Sequence, residues 1–313
     1  MLIAGIVLLC LVAFCFGVGA YTFFTACGRG KEINWSDEAA VKATPFGKYY
    51  THIHEGRQWL QEHNAKDVYM TNRDGLKLHA SWIAAPNAKG TIIFAHGFHS
   101  CGLSDFSLAF DLYHKQDMNI LLLTHRTHAP SEGKYITFGV KESRDVRDWI
   151  DYHNQNLGNY PILCSGLSMG AATVMYLAGM ELPDNVRGFV ADCGFTSPKE
   201  IISSVFREKT HLPFWPFFWA AELCARFFAG FSLNEMHTTK TLAKNTRSIL
   251  LVHGLEDDFV PAEMTRRSFE ACAGDKTLLL VEGADHGTSF LVARQAYLDK
   301  IHQIVKKVQS TQL

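Results

Sequence analysis

The sequence predicts an α/β protein in which a mostly parallel, eight-stranded sheet carries helices on both faces, with an apolar N-terminal helix ahead of it and one helical insertion within it. Three observations carry this expectation. Short, continuously apolar runs alternate with longer amphipathic ones over most of the chain, an alternating two-strand pattern opens the series, and one interval of roughly fifty residues breaks the rhythm. Continuous apolar runs suit strands buried on both faces, as parallel strands between two helix layers are. With 313 residues, 47% of them hydrophobic, the chain can bury one sizeable core and suits a single α/β domain with one active site.

Residues Leu2 through Cys27 contain no charged side chain. At about 1.5 Å rise per residue, a helix of that length crosses a hydrocarbon core of about 30 Å, so residues 1–27 are read as a single-pass transmembrane signal anchor that attaches the protein to a membrane. A cleaved signal peptide is the alternative, but no basic residues precede the apolar run, and the run exceeds the usual h-region of about 7 to 15 residues. Phe24-Thr25-Ala26-Cys27 also has a faint likeness to a bacterial lipobox. Arg29 and Lys31 come directly after the segment, and the positive-inside rule then favours a cytoplasmic domain. Two charges leave the side of the membrane open.

Residues 28–66 show no strong period and read as a juxtamembrane stalk with one helix near His54 to His63. The domain is expected over 67–313. VYMTN and LKLHASWIAA, between Val68 and Ala85, are two alternating strands joined by Arg73-Asp74-Gly75, a turn of the Asp-Gly type. Next come the strand TIIFAHG, a helix near Leu103 to Lys115, the strand NILLLTH, a helix near Glu142 to Asn156, the strand PILCSGLS and a helix from Met169 to Met180. The strands VRGFVADC, SILLVHG and TLLLVEGA complete the sheet, with a helix near Glu263 to Cys272 between the last two and a C-terminal helix near Ser289 to Val308. Repeated βα units after a hairpin give a right-handed, largely parallel sheet.

The insertion spans about 196–245. Within it Phe217, Ala221, Cys224, Phe228 and Phe231 recur at three- and four-residue spacing, which predicts an amphipathic helix, and Pro213 and Pro216 mark its entry. Its place between strands suggests a cap over the active site; an ordinary core helix is the alternative.

Several function classes are excluded or disfavoured by composition. The 30 basic and 31 acidic residues nearly cancel and form no long run, so no footprint for nucleic acid is present. Five cysteines beyond the anchor (Cys101, Cys164, Cys193, Cys224, Cys272) form no CxxC or Cys/His pattern, and buried free thiols are expected. No glycine-rich phosphate loop or dinucleotide fingerprint occurs, so no cofactor is expected. His125 and His128, beside Arg126, Ser131 and Glu132, lack a convincing third ligand, so no metal is expected and this loop is read as structural.

The central chemical signal is Gly166-Leu167-Ser168-Met169-Gly170, a GxSxG placed where an apolar strand gives way to an Ala-rich helix. A sharp strand-to-helix turn holds the serine exposed and strained, and the glycines let strand and helix approach. A serine hydroxyl needs a base oriented by a carboxylate to act as a nucleophile at neutral pH. His286, in Gly283-Ala284-Asp285-His286-Gly287 after the last strand, is the expected base. Asp257, in the loop after the preceding strand, is the expected acid, with Asp258 and Asp192 as alternatives. Glu256 reads as a solvated loop residue, and Asp285 as pointing away from its neighbour. Backbone N–H groups of Met169, at a helix N-terminus, and Phe98, in His96-Gly97-Phe98, are the expected oxyanion donors.

From about Val68 to the C-terminus the chain resembles the α/β-hydrolase superfamily, through HGF at His96, SEGKYITFG at Ser131, GLSMG at Gly166, HGLEDDFVP at His253 and GADHG at Gly283. It is similar in particular to bacterial members with an N-terminal signal anchor. Thr127-His128-Ala129-Pro130 departs from many relatives, which carry a His-Gly pair before the serine. The resemblance extends to esterases and prolyl-oligopeptidase-like peptidases. It implies cofactor-free serine hydrolysis, with a small-molecule acyl ester as the first expectation, peptide or amide cleavage as a second, and acyl transfer to a membrane acceptor as a third. Phe214, Trp215, Phe217, Phe218 and Trp219 hint at apolar, lipid-like acyl groups. A neutral imidazole base implies activity that falls on the acid side of about pH 6 to 7.

Overall fold

A computed structural model describes residues 1–310. Its centre is one eight-stranded sheet: β1 (Lys66–Thr71), β2 (Lys77–Ile83), β3 (Gly90–Ala95), β4 (Met118–Thr124), β5 (Ile162–Leu167), β6 (Val186–Asp192), β7 (Ser248–Gly254) and β8 (Lys276–Val281). The strand order is β1-β2-β4-β3-β5-β6-β7-β8. Only β2 runs antiparallel to its neighbours, pairing β1 on one side and β4 on the other, and every later pairing is parallel. The Asp-Gly turn expected between the first two strands is therefore the hairpin that opens the sheet.

The helices in chain order are α1 (Leu2–Cys27), α2 (Glu38–Lys42), α3 (Tyr50–Glu62), α4 (Gly102–Phe106), α5 (Phe110–His114), α6 (Val140–Asn156), α7 (Met169–Leu177), α8 (Pro198–Thr210), α9 (Trp215–Cys224), α10 (Thr238–Leu242), α11 (Ala262–Ala271), α12 (Ser289–Val292) and α13 (Arg294–Ser310). Alternation along each strand sends side chains to two separate cores. Ile93, Leu121 and Cys164 meet Trp149 of α6 and Val174 of α7 on one face. Ile92, Phe94, Ile120 and Leu163 meet Phe110 of α5 and Ile301 and Val305 of α13 on the other.

Three regions differ from the sequence expectation. The helix expected over 103–115 is split into α4 and α5 by a 3₁₀ turn at Ser107–Ala109, which lets both Phe106 and Phe110 pack on Phe94. In the insertion, α9 runs into a π turn at Ala225–Ala229. Phe217, Ala221 and Cys224 before the turn and Phe231 after it are buried as the spacing predicts, while Phe228, within the wider turn, is exposed.

Residues 28–66, read from the sequence as a stalk, lie against the domain. Val41 and Ile53 are buried, Trp59 packs on Phe110, and Gly56 sits so close to the 3₁₀ turn that a Cβ there would stand 2.4 Å from Ser107 Cβ. The apolar helix α1 also contacts the domain. Its second half runs beside α9, where a Cβ on Gly19 would stand 2.3 Å from the Phe217 carbonyl oxygen, and Phe23 and Cys27 are fully buried among Met169, Phe195 and Val260. The backbone continues the contact: Cys27 O accepts from Ile136 N at 2.7 Å, and Arg29 N donates to Lys134 O at 3.2 Å.

Candidate active site

Ser168 stands between β5 and α7 with φ +54° and ψ −114°, a left-handed strain that a non-glycine residue adopts only when its surroundings enforce it. The enforcement is visible on both sides. A Cβ on Gly166 would lie 2.1 Å from Gly170 O, and one on Gly170 would lie 1.8 Å from Ala95 O. Both glycines are therefore required by backbone contact, and they let β3, β5 and α7 converge on the serine. Ser168 N donates to Asp192 O at 2.9 Å, tying the turn to the end of β6.

His286 and Asp257 come to this point from the loops after β8 and β7. His286 Nε2 is 2.9 Å from Ser168 Oγ, and His286 Nδ1 is 2.7 Å from Asp257 Oδ2. Asp257 is buried and well supplied with donors: its Oδ1 accepts from Phe259 N at 3.0 Å and Val260 N at 2.8 Å. Its Oδ2 also lies 3.1 Å from His253 Nε2. Burial alone would raise the Asp257 carboxyl, but the hydrogen bonds from His253 and His286 outweigh it and hold the group well below the usual carboxylate range.

The alternative acids are elsewhere. Asp258 is exposed, and Asp285 accepts from Thr288 Oγ1 at 2.7 Å. Asp192 accepts from Tyr297 instead of His286, and burial pushes its carboxyl up to about 6.

The two expected oxyanion donors flank the serine. Met169 is the first residue of α7. Phe98 is next to Gly97, where a Cβ would stand 3.6 Å from Ser168 Cβ. Among the described residues no group accepts from either N–H. The loop is braced by Asp105, whose carboxylate accepts from Gly97 N at 2.7 Å and Ser100 Oγ at 2.5 Å. Burial raises Asp105 to about 6, against the pull of those donors.

Three features of the site were not foreseen from the sequence. His253 braces Asp257 while its Nδ1 meets Thr265 Oγ1 at 2.6 Å and its Nε2 meets Val260 O at 2.8 Å; the HGLEDDFVP motif contained it without marking its task. Cys193, at φ +49°, places its buried Sγ 4.0 Å from His286 Nε2. Cys193, Asp257 and His286 are the group of possible metal ligands whose atoms lie within 4.8 Å of one another among the described residues, but Asp257 and His286 already bond to each other.

The third feature is the cavity. About 510 Å³ of space opens onto Ser168 and His286, and no residue of 196–245 lines it. The insertion is thus not the wall of this cavity: Phe214, Phe217 and Phe218 pack with α1 and the Phe138–Phe195 cluster instead, and Trp215 is exposed.

The loop after β4 has the structural task expected of it. Arg126, almost fully buried, donates to Asp145 through Nε and Nη2 at 2.6 Å each and to Asp74 at 2.9 Å, which pins the first hairpin to α6. His96, His125 and His128 pack ring against ring, and burial lowers His125 to about 3 and His128 to about 4, so both are neutral.

This sheet order, with a strained serine after β5 and its partners after β7 and β8, is the α/β-hydrolase fold. Among solved structures, the Pyrococcus furiosus esterase Pf2001 superposes with a TM-score of 0.65 at 21% identity, covering 79% of this chain and 93% of that one. Est1E from Butyrivibrio proteoclasticus, solved with ferulic acid bound, gives 0.58 at 18% identity over 76% and 99% of the two chains. Among curated sequences, YqkD of Bacillus subtilis (strain 168) is 25% identical over 238 residues, 76% of this chain and 78% of its own. YqkD is itself described as uncharacterized. No family model matches the chain.

Proposed function

We propose that the protein is a membrane-anchored serine hydrolase that cleaves carboxylic esters through Ser168, His286 and Asp257. The observation that carries this reading is the unbroken hydrogen-bonded line from Ser168 Oγ through the imidazole of His286 to Asp257. Esterases among the fold's neighbours support the same reaction class.

Ser168 Oγ attacks the acyl carbon while His286 Nε2 takes its proton. The carbonyl oxygen, now negative, is met by the N–H groups of Phe98 and Met169, the latter at the positive end of α7. His286 returns the proton to the leaving alcohol, and water then repeats the cycle on the acyl-enzyme to release the acid. Asp257 stays ionised throughout, fixes the Nδ1–H tautomer and stabilises the imidazolium. The anchor is α1, whose mean hydropathy over its most apolar window is 2.8. The burial of Phe23 and Cys27 supports its retention over its removal as a signal peptide, because cleavage would strip two residues from the core.

The test uses the full chain in detergent. A fluorophosphonate is expected to label the protein covalently, and Ser168→Ala to abolish labelling and lower kcat by at least about 10⁴-fold on p-nitrophenyl esters. Unlabelled wild type, or Ser168→Ala with ordinary activity, would overturn the proposal. Faster turnover of aminoacyl anilides than of matched esters would move the enzyme to the amidases.

A further inference from the structure

The cavity at Ser168 is walled by a part of the chain that lies before the first strand of the sheet. Pro45, Phe46, Tyr49 and His52 line it together with Gly97 and Phe98. These residues sit at the junction of α2 and α3, and that junction is held from three directions. Asp37 caps α2 by accepting from Ala39 N and Ala40 N. Phe46 packs on Trp35 with ring centroids 5.3 Å apart, and Trp35 O accepts from Arg57 Nη2 at 2.5 Å. Helix α3 is seated on the 3₁₀ turn at Ser107 by Gly56, where any side chain would force the helix away. Ser107, Leu108 and Ala109 on that turn also line the cavity, so the seat of α3 and the wall of the cavity are one structure.

We infer that residues 45–52 form the acyl-binding wall of the active site, a subsite for a neutral, apolar acyl chain that is made by the segment joining the membrane helix to the sheet and not by the 196–245 insertion. The inference rests on the ester-hydrolase reading and specifies its substrate. The chemistry of the lining selects the class. Phe46, Leu108, Leu112, Phe290 and Leu291 offer apolar surface on several sides. The carboxylates of Asp105 and Asp192 lie in the same wall, and among the described residues no Lys or Arg lines it. An acyl chain ending in its own carboxylate would add a third negative charge to a poorly hydrated space, which is unfavourable. A neutral chain meets no such cost.

The experiment compares p-nitrophenyl acetate, octanoate and hemisuccinate, which share a leaving group and differ in the acyl chain, on the full-length protein in detergent. Wild type is expected to prefer octanoate and to discriminate against hemisuccinate at least tenfold in kcat/KM, on the order expected for a poorly matched pocket. Phe46→Ala and Tyr49→Ala are each expected to lower the octanoate-to-acetate ratio of kcat/KM by about tenfold, and Gly56→Leu to do the same by displacing α3 without changing any lining residue. Trp215→Ala, in the insertion, is expected to leave the ratio as it is. Should Gly56→Leu not fold, the two lining variants decide.

A ratio that does not move in Phe46→Ala and Tyr49→Ala, a shift in Trp215→Ala instead, or hemisuccinate turned over as well as octanoate would overturn the inference. A wild type that takes no fluorophosphonate label would overturn the hydrolase reading itself, and the two failures are thereby separate.

Discussion

Two backbone N–H groups and two imidazoles converge on the carboxylate of Asp257, and each has a separable consequence. Asp257→Asn keeps the volume but replaces the oxygen that His286 Nδ1–H needs with a group that can donate, favouring the wrong tautomer; kcat is expected to fall by about 10⁴-fold while the melting temperature changes little. His253 touches no reacting atom and is a positioning residue. His253→Gln is therefore expected to give a smaller loss than Asp257→Asn, confined to kcat with KM unchanged, because it acts only through the placement of Asp257. Asp192 has the opposite character. Buried, with its carboxyl raised to about 6 and one oxygen lacking a donor, it binds protons more tightly folded than unfolded. Stability then declines as pH rises from about 4 to about 6 and the deficit persists above that window. Asp192→Asn, neutral at every pH, is expected to melt near wild type at pH 4 and above it at pH 7, and a difference independent of pH would show that the carboxyl is not raised. The convergence of Ser168, Asp257 and His286 could be expected from the sequence because each comes just after a buried strand at a fixed place in a repeating pattern. His253 and Asp105 were not, since a bracing role depends on which loop faces a side chain across the sheet, and no local spacing records that.

Buried strands and capped helices were the legible elements, because their periodicity is local. Helix α6 is an instance: Glu142, fully buried, accepts from Thr137 N at 2.9 Å, Thr137 Oγ1 at 2.6 Å and Gly139 N at 2.9 Å, closing the turn that leads into the helix. Glu142→Ala would leave three buried donors without an acceptor and is expected to cost about 2 to 4 kcal/mol in urea unfolding. A loss below about 1 kcal/mol would mean that water replaces the carboxylate. The elements that could not be read from the sequence are those fixed by non-local contacts. The π turn at Ala225–Ala229 breaks a register that spacing arguments assume to be constant, and the split between α4 and α5 is set by packing on Phe94, which is distant in sequence. The wall at residues 45–52 was hidden for a related reason: it has no period of its own and takes its place through Gly56 and Trp35.

At the scale of the whole molecule, the open question of the sequence is whether α1 is a tether or a component. A tether would touch nothing, and its residues would be interchangeable so long as they stayed apolar. In the structure the two halves of α1 differ. Leu8 is 63% exposed, whereas Phe23 is 1% exposed, packed against Tyr135 and Phe228 and within the cluster that includes Met169 beside Ser168. Truncating a fully buried aromatic residue costs about 3 to 5 kcal/mol through lost burial and the cavity left behind, while truncating a side chain that meets only lipid or detergent costs the fold nothing. In detergent, Phe23→Ala is expected to lower the stability of the α/β domain by that amount and to raise the rate of proteolysis near Tyr135, and Leu8→Ala to leave both as in wild type. The same contact predicts that a chain starting after Cys27 folds with a lower melting temperature than the full-length protein, since Ile136 N loses its acceptor and the cluster beneath Met169 is opened to solvent. Equal stability of Phe23→Ala, Leu8→Ala and wild type would establish that the helix is undocked in solution and that the domain is complete without it.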